Sequence, residues 1–114
     1  LSMAKSDRSR RVGEQIKRHL ATLISKEVSD PRLGMVGISA VVVSKDYKTA
    51  TVYVNVFKDE EVEASMEALR SAAGFLRTQL SQSLNQRTTP KLVFEHDTSI
   101  QEGIALSKLI DSVQ

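Results

Sequence analysis

The stretch from Glu61 to Gln86 constrains the fold more than any other part of this chain. Val62, Met66, Leu69 and Ala73 recur at helical spacing, and Phe75, Leu76, Leu80 and Leu84 carry a second stripe beyond them. Gly74 stands where the stripes meet. A glycine inside a helix costs about 1 kcal/mol relative to alanine, so one in this position calls for a geometric reason. The reading is a helix–kink–helix unit: with no Cβ at Gly74 and only methyl groups at Ala72 and Ala73, two short helices can cross closely. Charge changes sign at the same place. Residues 58–67 carry a net charge of −4, whereas residues 70–91 carry +4 from Arg70, Arg77, Arg87 and Lys91 with no acid. The basic half of such a unit suits a polyanion.

A second concentration of charge lies near the start. Val12, Ile16, Leu20, Leu23, Ile24 and Val28 mark a helix over about Ser9–Val28, with Ser9 as its N-cap and Asp30-Pro31 as its stop. Lys5, Arg8, Arg10, Arg11, Lys17 and Arg18 outnumber Asp7 and Glu14, giving residues 5–18 a net charge of +4. Cations at a helix N-terminus oppose its dipole at a cost of a few tenths of about 1 kcal/mol each. That cost brings no folding return, which favours a binding role over a merely solvated end. The whole chain is only weakly basic, at +2, so the case for a polyanionic partner rests on distribution.

Between and after these helices come strands. Val36–Val43 and Thr49–Phe57 alternate and are rich in β-branched residues, and Ser44-Lys45-Asp46-Tyr47-Lys48 supplies a turn, so an antiparallel hairpin is expected. Thr88-Thr89-Pro90 ends the helical unit, and Lys91–His96 reads as a third strand. Ser99 and Glu102 have capping-box spacing before a last helix whose apolar face is Ile100, Ile104, Leu106, Leu109, Ile110 and Val113. The expected fold class is α+β in the order α-β-β-α-α-β-α, with a three-stranded sheet, helices on one face and the other face open. At 114 residues one domain is expected, over 9–114. Residues 3–8 read as a flexible basic N-terminus, and Leu1-Ser2 before Met3 as a cloning scar.

Little points to chemistry. The absence of cysteine excludes disulfides, thiolate metal sites and a cysteine nucleophile, and fits a reducing, cytoplasmic setting. No carboxylate cluster has metal-ligand spacing, no phosphate-binding glycine pattern is present, and no cofactor is implied. His96 between Glu95 and Asp97 is the nearest approach to an acid–base group, and it reads as a polar strand end. Gly34-Met35-Val36-Gly37 matches the G-x-x-G of KH domains, but its middle residues are apolar and it precedes a strand. It reads as the turn into that strand. No apolar run approaches the roughly 18 residues of a membrane span.

The order of elements resembles a type II KH domain, and the resemblance becomes specific in Ala72-Ala73-Gly74 followed by Phe75-Leu76-Arg77. Together with Arg10-Arg11-Val12, Glu27-Val28-Ser29-Asp30-Pro31-Arg32, Val43-Ser44-Lys45-Asp46, Ala50-Thr51-Val52-Tyr53-Val54 and Pro90-Lys91-Leu92-Val93-Phe94, it makes the chain similar to the ribosome-binding factor A family over about residues 8–113. The resemblance implies a helix–kink–helix at Ala72, Ala73 and Gly74 in place of the KH clamp. It also implies a monomeric, non-catalytic maturation factor that binds the free or immature 30S subunit and its 16S rRNA. Such a factor supports late processing, matters most in the cold, and leaves with the help of an assembly GTPase. The cations to meet RNA are then Arg8, Arg10, Arg11, Lys17 and Arg18 on the first helix and Arg70, Arg77, Arg87 and Lys91 around the kinked unit. With aromatics at 4%, backbone and shape contacts outweigh base stacking. The rival expectation is a protein–protein adaptor that uses the acidic Asp59–Glu67 face or the open sheet face.

Overall fold

Alternating β-branched residues bury one face of a strand and leave the other to solvent, and here they build the hairpin around which the molecule forms. A computed structural model describes residues 3–84 and 89–113, with the side chains of 8–84 and 89–110. Its elements are α1 (Met3–Glu27), β1 (Val36–Val43), β2 (Thr49–Val56), a 3-10 turn (Asp59–Glu61), α2 (Val62–Ser83), β3 (Lys91–His96) and α3 (Ser99–Val113). The sheet order is β1-β2-β3, with β1 antiparallel and β3 parallel to the central β2. The register runs Val36↔Val56 to Val43↔Ala50 on one side and Thr49↔Lys91 to Val54↔His96 on the other. Ala50, Val52, Val54 and Val56 are fully buried under the helices, while Thr51, Tyr53 and Asn55 point to the opposite, open face.

Two helices close the core. α1 lies over β1 and buries Val12, Ile16, Leu20 and Ile24. It comes so close at Gly13 that a Cβ there would stand 2.7 Å from the Val41 carbonyl oxygen. α2 lies over β3 and buries Met66, Leu69, Leu76 and Leu80 against Leu92 and Phe94. Each of these aliphatic side chains stabilises the fold by roughly 1.5–3 kcal/mol through its burial, and truncating Leu76 to alanine would cost about 2–5 kcal/mol. The segment between α1 and β1 is anchored to α2, since the Gly34 N–H donates to Ser65 Oγ at 3.0 Å.

Four details depart from the sequence reading. The stretch expected to be two helices is one continuous helix, Val62–Ser83, and a Cβ at Gly74 would meet nothing within 4 Å. No second helix presses on that glycine, so close crossing does not explain it. Thr78 returns its hydroxyl to the Gly74 carbonyl at 3.1 Å, a local bond that tends to bend a helix without breaking it. The first helix starts at Met3. Ser9 is therefore inside it rather than at its cap, with its hydroxyl 3.4 Å from the Tyr47 hydroxyl. In β1 the register shifts between Ile38 and Ala40, so Ser39 is an extra residue. That bulge reverses the alternation: Val36 and Ile38 share the core side with Val41 and Val43, and Ala40 and Val42 turn to the open face. At α3, Glu102 pairs with Thr98 Oγ1 at 2.7 Å rather than with Ser99, and the Ser99 N–H donates to the Asp97 carboxylate at 3.0 Å. The apolar face of that helix stays uncovered, with Ile104, Leu106, Leu109 and Ile110 all exposed.

Candidate nucleic-acid interface

A helix that buries Val12, Ile16, Leu20 and Ile24 must turn the residues about half a turn away towards solvent. In α1 those are Arg11 and Arg18, with Arg10 and Lys17 on one flank and Arg8 on the other. Arg8, Arg10, Arg11 and Arg18 are exposed and Lys17 is half-buried. Among the described residues no ion pair holds Arg8, Arg11, Lys17 or Arg18. Glu14 is the single acid from residue 8 to residue 24. The structure thus brings five of the expected cations onto one surface of one helix. Unpaired cations in water attract phosphate without first having to leave an internal partner.

The cations of the second group are disposed differently. The core side of α2 is Met66, Leu69, Leu76 and Leu80, and Arg70 and Arg77 flank it on the side towards β3. Arg70 Nη2 donates to the Phe94 carbonyl at 3.1 Å. Arg77 donates to the Thr89 carbonyl from Nε at 3.1 Å and from Nη2 at 2.9 Å. β3 is an edge strand, and these guanidinium groups satisfy carbonyls that β2 does not reach. The outward surface of α2 exposes Ser71, Gly74 and Thr78, and Phe75, expected in the apolar stripe with Leu76, Leu80 and Leu84, is exposed as well because it falls off their buried side of the helix. Ala72 and Ala73 are half-buried against the core. Lys91 is exposed at the start of β3, and Arg87 lies outside the described residues.

Carboxylates elsewhere are engaged in turns. Asp30 and Arg32 pair at 2.7 Å where the chain leaves α1, and that contact holds the Asp30 carboxyl below its ordinary range. Asp46 accepts from Ser44 Oγ at 2.7 Å and from the Lys48 N–H at 3.0 Å, and is likewise held low. Asp97 is lowered by Ser39 and then by the Ser99 N–H. His96 is half-buried, and its Nε2 is shielded from solvent with no hydrogen-bond partner, so it is not the solvated strand end that the sequence suggested. Among the described residues no group of three His, Cys, Asp or Glu side chains is gathered as metal ligands would be. No helix there is long and apolar enough to cross a membrane. The sequence reading missed Gly13, Lys45 and Tyr47. The contact of Gly13 with β1 and the placing of Lys45 and Tyr47 beside α1 arise only from tertiary packing.

A mixed three-stranded sheet with two helices packed on one face, in the order α-β-β-α-β-α, defines a KH-like α+β domain. Its structural neighbours include the crystal structure of ribosome-binding factor A from Thermus thermophilus, with a TM-score of 0.70, 34% identity and coverage of 77% of this chain and 93% of that one. They also include coordinates of the T. thermophilus factor fitted into the cryo-EM map of its 30S complex, with a TM-score of 0.68, 33% identity and coverage of 79% and 96%. By sequence, ribosome-binding factor A of Azotobacter vinelandii is 44% identical over 96% of this chain and 88% of its own length. That of Alkalilimnicola ehrlichii is 51% identical over 91% and 82%. The family model for ribosome-binding factor A matches residues 8–110, and the chain belongs to that family.

Proposed function

We propose that this protein binds the free or immature small ribosomal subunit through its 16S rRNA and supports late processing and folding of that RNA, most needed in the cold. It does so in the cytoplasm, as a monomer and without catalysing a reaction, and leaves with the help of an assembly GTPase. The observation that carries the reading is the cationic surface of α1, where Arg8, Arg11, Lys17 and Arg18 have no ion-pair partner among the described residues. Cations of this kind neutralise backbone phosphates and position a protein on folded RNA without reading base sequence. The exposed Ser71-Gly74-Thr78 surface of α2 also lets an RNA backbone approach closely, because nothing stands where a Cβ of Gly74 would be. The Thermus relative fitted in a 30S complex agrees in kind of partner. Co-sedimentation tests the reading: the purified protein should pellet with isolated 30S subunits at low salt and not with 70S ribosomes. Failure to pellet with 30S subunits would contradict it.

A protein adaptor remains the second reading, favoured by one observation. The open sheet face exposes Val42, Tyr53 and Phe57, and α3 exposes Ile104, Leu106, Leu109 and Ile110. Association through that surface would survive high salt, whereas phosphate contacts would not.

A further inference from the structure

The N-terminal half of α1 and the end of the β1–β2 hairpin enclose a groove of about 560 Å³. The edge of β1 at Val41–Val43 forms its floor, with Val41 and Val43 on the side of α1 and Val42 at the margin of the open face; Ser9 and Tyr47 form a wall, and Arg10 and Lys45 its rim. We propose that this groove receives one unstacked RNA base, laid against Tyr47 and the valine floor, with Arg10 and Lys45 at the phosphates on either side of it. The inference rests on the RNA-binding reading above and adds a subsite to it.

The composition of the groove selects the occupant. A base offers an apolar face and an anionic backbone at once, and the groove offers an apolar floor beneath two cations. No acid lines it. Its volume falls in the range of about 300–1,000 Å³ typical of small-molecule pockets, large enough for a nucleotide and too small for a duplex. A base must leave the stack to enter, which is how sequence-tolerant RNA contacts on aromatic side chains are made. The groove also adjoins the cationic surface of α1, because Arg10 belongs to both.

Tyr47 itself is the second, independent sign. It is the only non-glycine residue among those described with a positive φ, 60°. That left-handed conformation is unfavourable for a bulky residue and persists only where its surroundings impose it. The turn does impose it. The Tyr47 N–H donates to the Ser44 carbonyl at 2.9 Å, the Lys48 N–H donates to Asp46 Oδ1 at 3.0 Å, and the Thr49 N–H donates to Ser44 Oγ at 3.0 Å. Asparagine or glycine would satisfy this turn at lower cost. The Tyr47 ring packs against the edge of the core, with its hydroxyl 3.4 Å from Ser9 Oγ, and that packing holds it as a wall of the groove.

Two RNA hairpins with the same stem, one carrying a single bulged adenosine, provide the test. The protein should bind the bulged hairpin at least roughly five-fold more tightly, the low end of what one base–aromatic stack contributes. Tyr47→Gly, which removes the ring and relieves the backbone, should erase that preference and leave affinity for the plain stem unchanged. Val42→Glu, which puts an acid at the margin of the groove beside Arg10 and Lys45, should also erase the preference while lowering affinity for both hairpins, and melting temperatures show that both variants fold. Equal affinity of the wild type for the two hairpins, or a preference that survives both substitutions, overturns the pocket while the phosphate-binding reading stands. If neither hairpin binds at low salt, the RNA reading fails and the pocket falls with it.

Discussion

Arg77 donates two hydrogen bonds, from Nε and Nη2, to the carbonyl oxygen of Thr89 at 3.1 and 2.9 Å. Arg70 makes the same kind of bond to Phe94, so α2 is stitched both to β3 and to the segment that leads into it. Arg77→Ala is expected to lower stability to urea by about 1–2 kcal/mol, the value of a charge-assisted bond to backbone reduced for its exposure. Arg77→Lys would not restore it, because an ammonium lacks the fork. The salt dependence of RNA binding should be unchanged. A variant of wild-type stability with a shallower salt dependence would instead place Arg77 on the RNA.

Gly74 separates stability from binding. A Cβ there meets nothing within 4 Å, so Gly74→Ala should stabilise the protein by about 0.5–1 kcal/mol through helix propensity. If RNA backbone lies against that surface, the same methyl group weakens binding to 30S subunits. Thermal unfolding and a binding isotherm on one preparation check both outcomes.

Gly13 behaves in the opposite way. Its missing Cβ is what lets α1 reach the Val41 carbonyl, so Gly13→Ala forces α1 and β1 apart. A loss of about 1–3 kcal/mol is expected from this overpacking, measured by urea unfolding. Because the groove beside Tyr47 lies between the same two elements, any preference for a bulged base should fall as well.

Acid should unfold the protein through its turns. Asp30, Asp46 and Asp97 all have carboxyl pKa values lowered in the folded state, the first by Arg32, the second by Ser44 and the Lys48 N–H, the third by Ser39 and Ser99. A depressed folded pKa gives stability that is fully present above the unfolded value, about 3.9 for aspartate, and is lost as pH falls through the folded value. Urea midpoints are therefore expected to hold between about pH 8 and pH 5 and to decline below about pH 4. Asp46→Ala should be less stable at neutral pH and show a smaller acid decline.

Much of this architecture was legible in the residues themselves. The hairpin, the third strand over Lys91–His96 and the stop at Asp30-Pro31 all follow from local patterns that tertiary packing did not override. The bulge at Ser39 was not legible, because Val36–Val43 is so uniformly apolar that either phase satisfies the alternation. The glycine at residue 74 misled for a related reason: propensity marks a weak point in a helix, and packing of Met66, Leu69, Leu76 and Leu80 carried the helix through it. Charge counting found the cations of α1 but could not distinguish an arginine facing water from one bound to a strand edge, as Arg70 and Arg77 are. The exposed apolar side of α3 was equally invisible, since periodicity reports a face without saying what covers it.

The central claim is that α1 meets phosphate. It is tested most directly by measuring the affinity of the wild type and of Arg11→Glu/Arg18→Glu for isolated 30S subunits across a salt series. Each phosphate contact contributes roughly 0.7–0.9 to the slope of log K against log salt. The double variant should bind more weakly at low salt, with a slope shallower by about two contacts, while its urea midpoint stays close to that of the wild type. Equal affinity and equal slope in the two proteins would contradict the account.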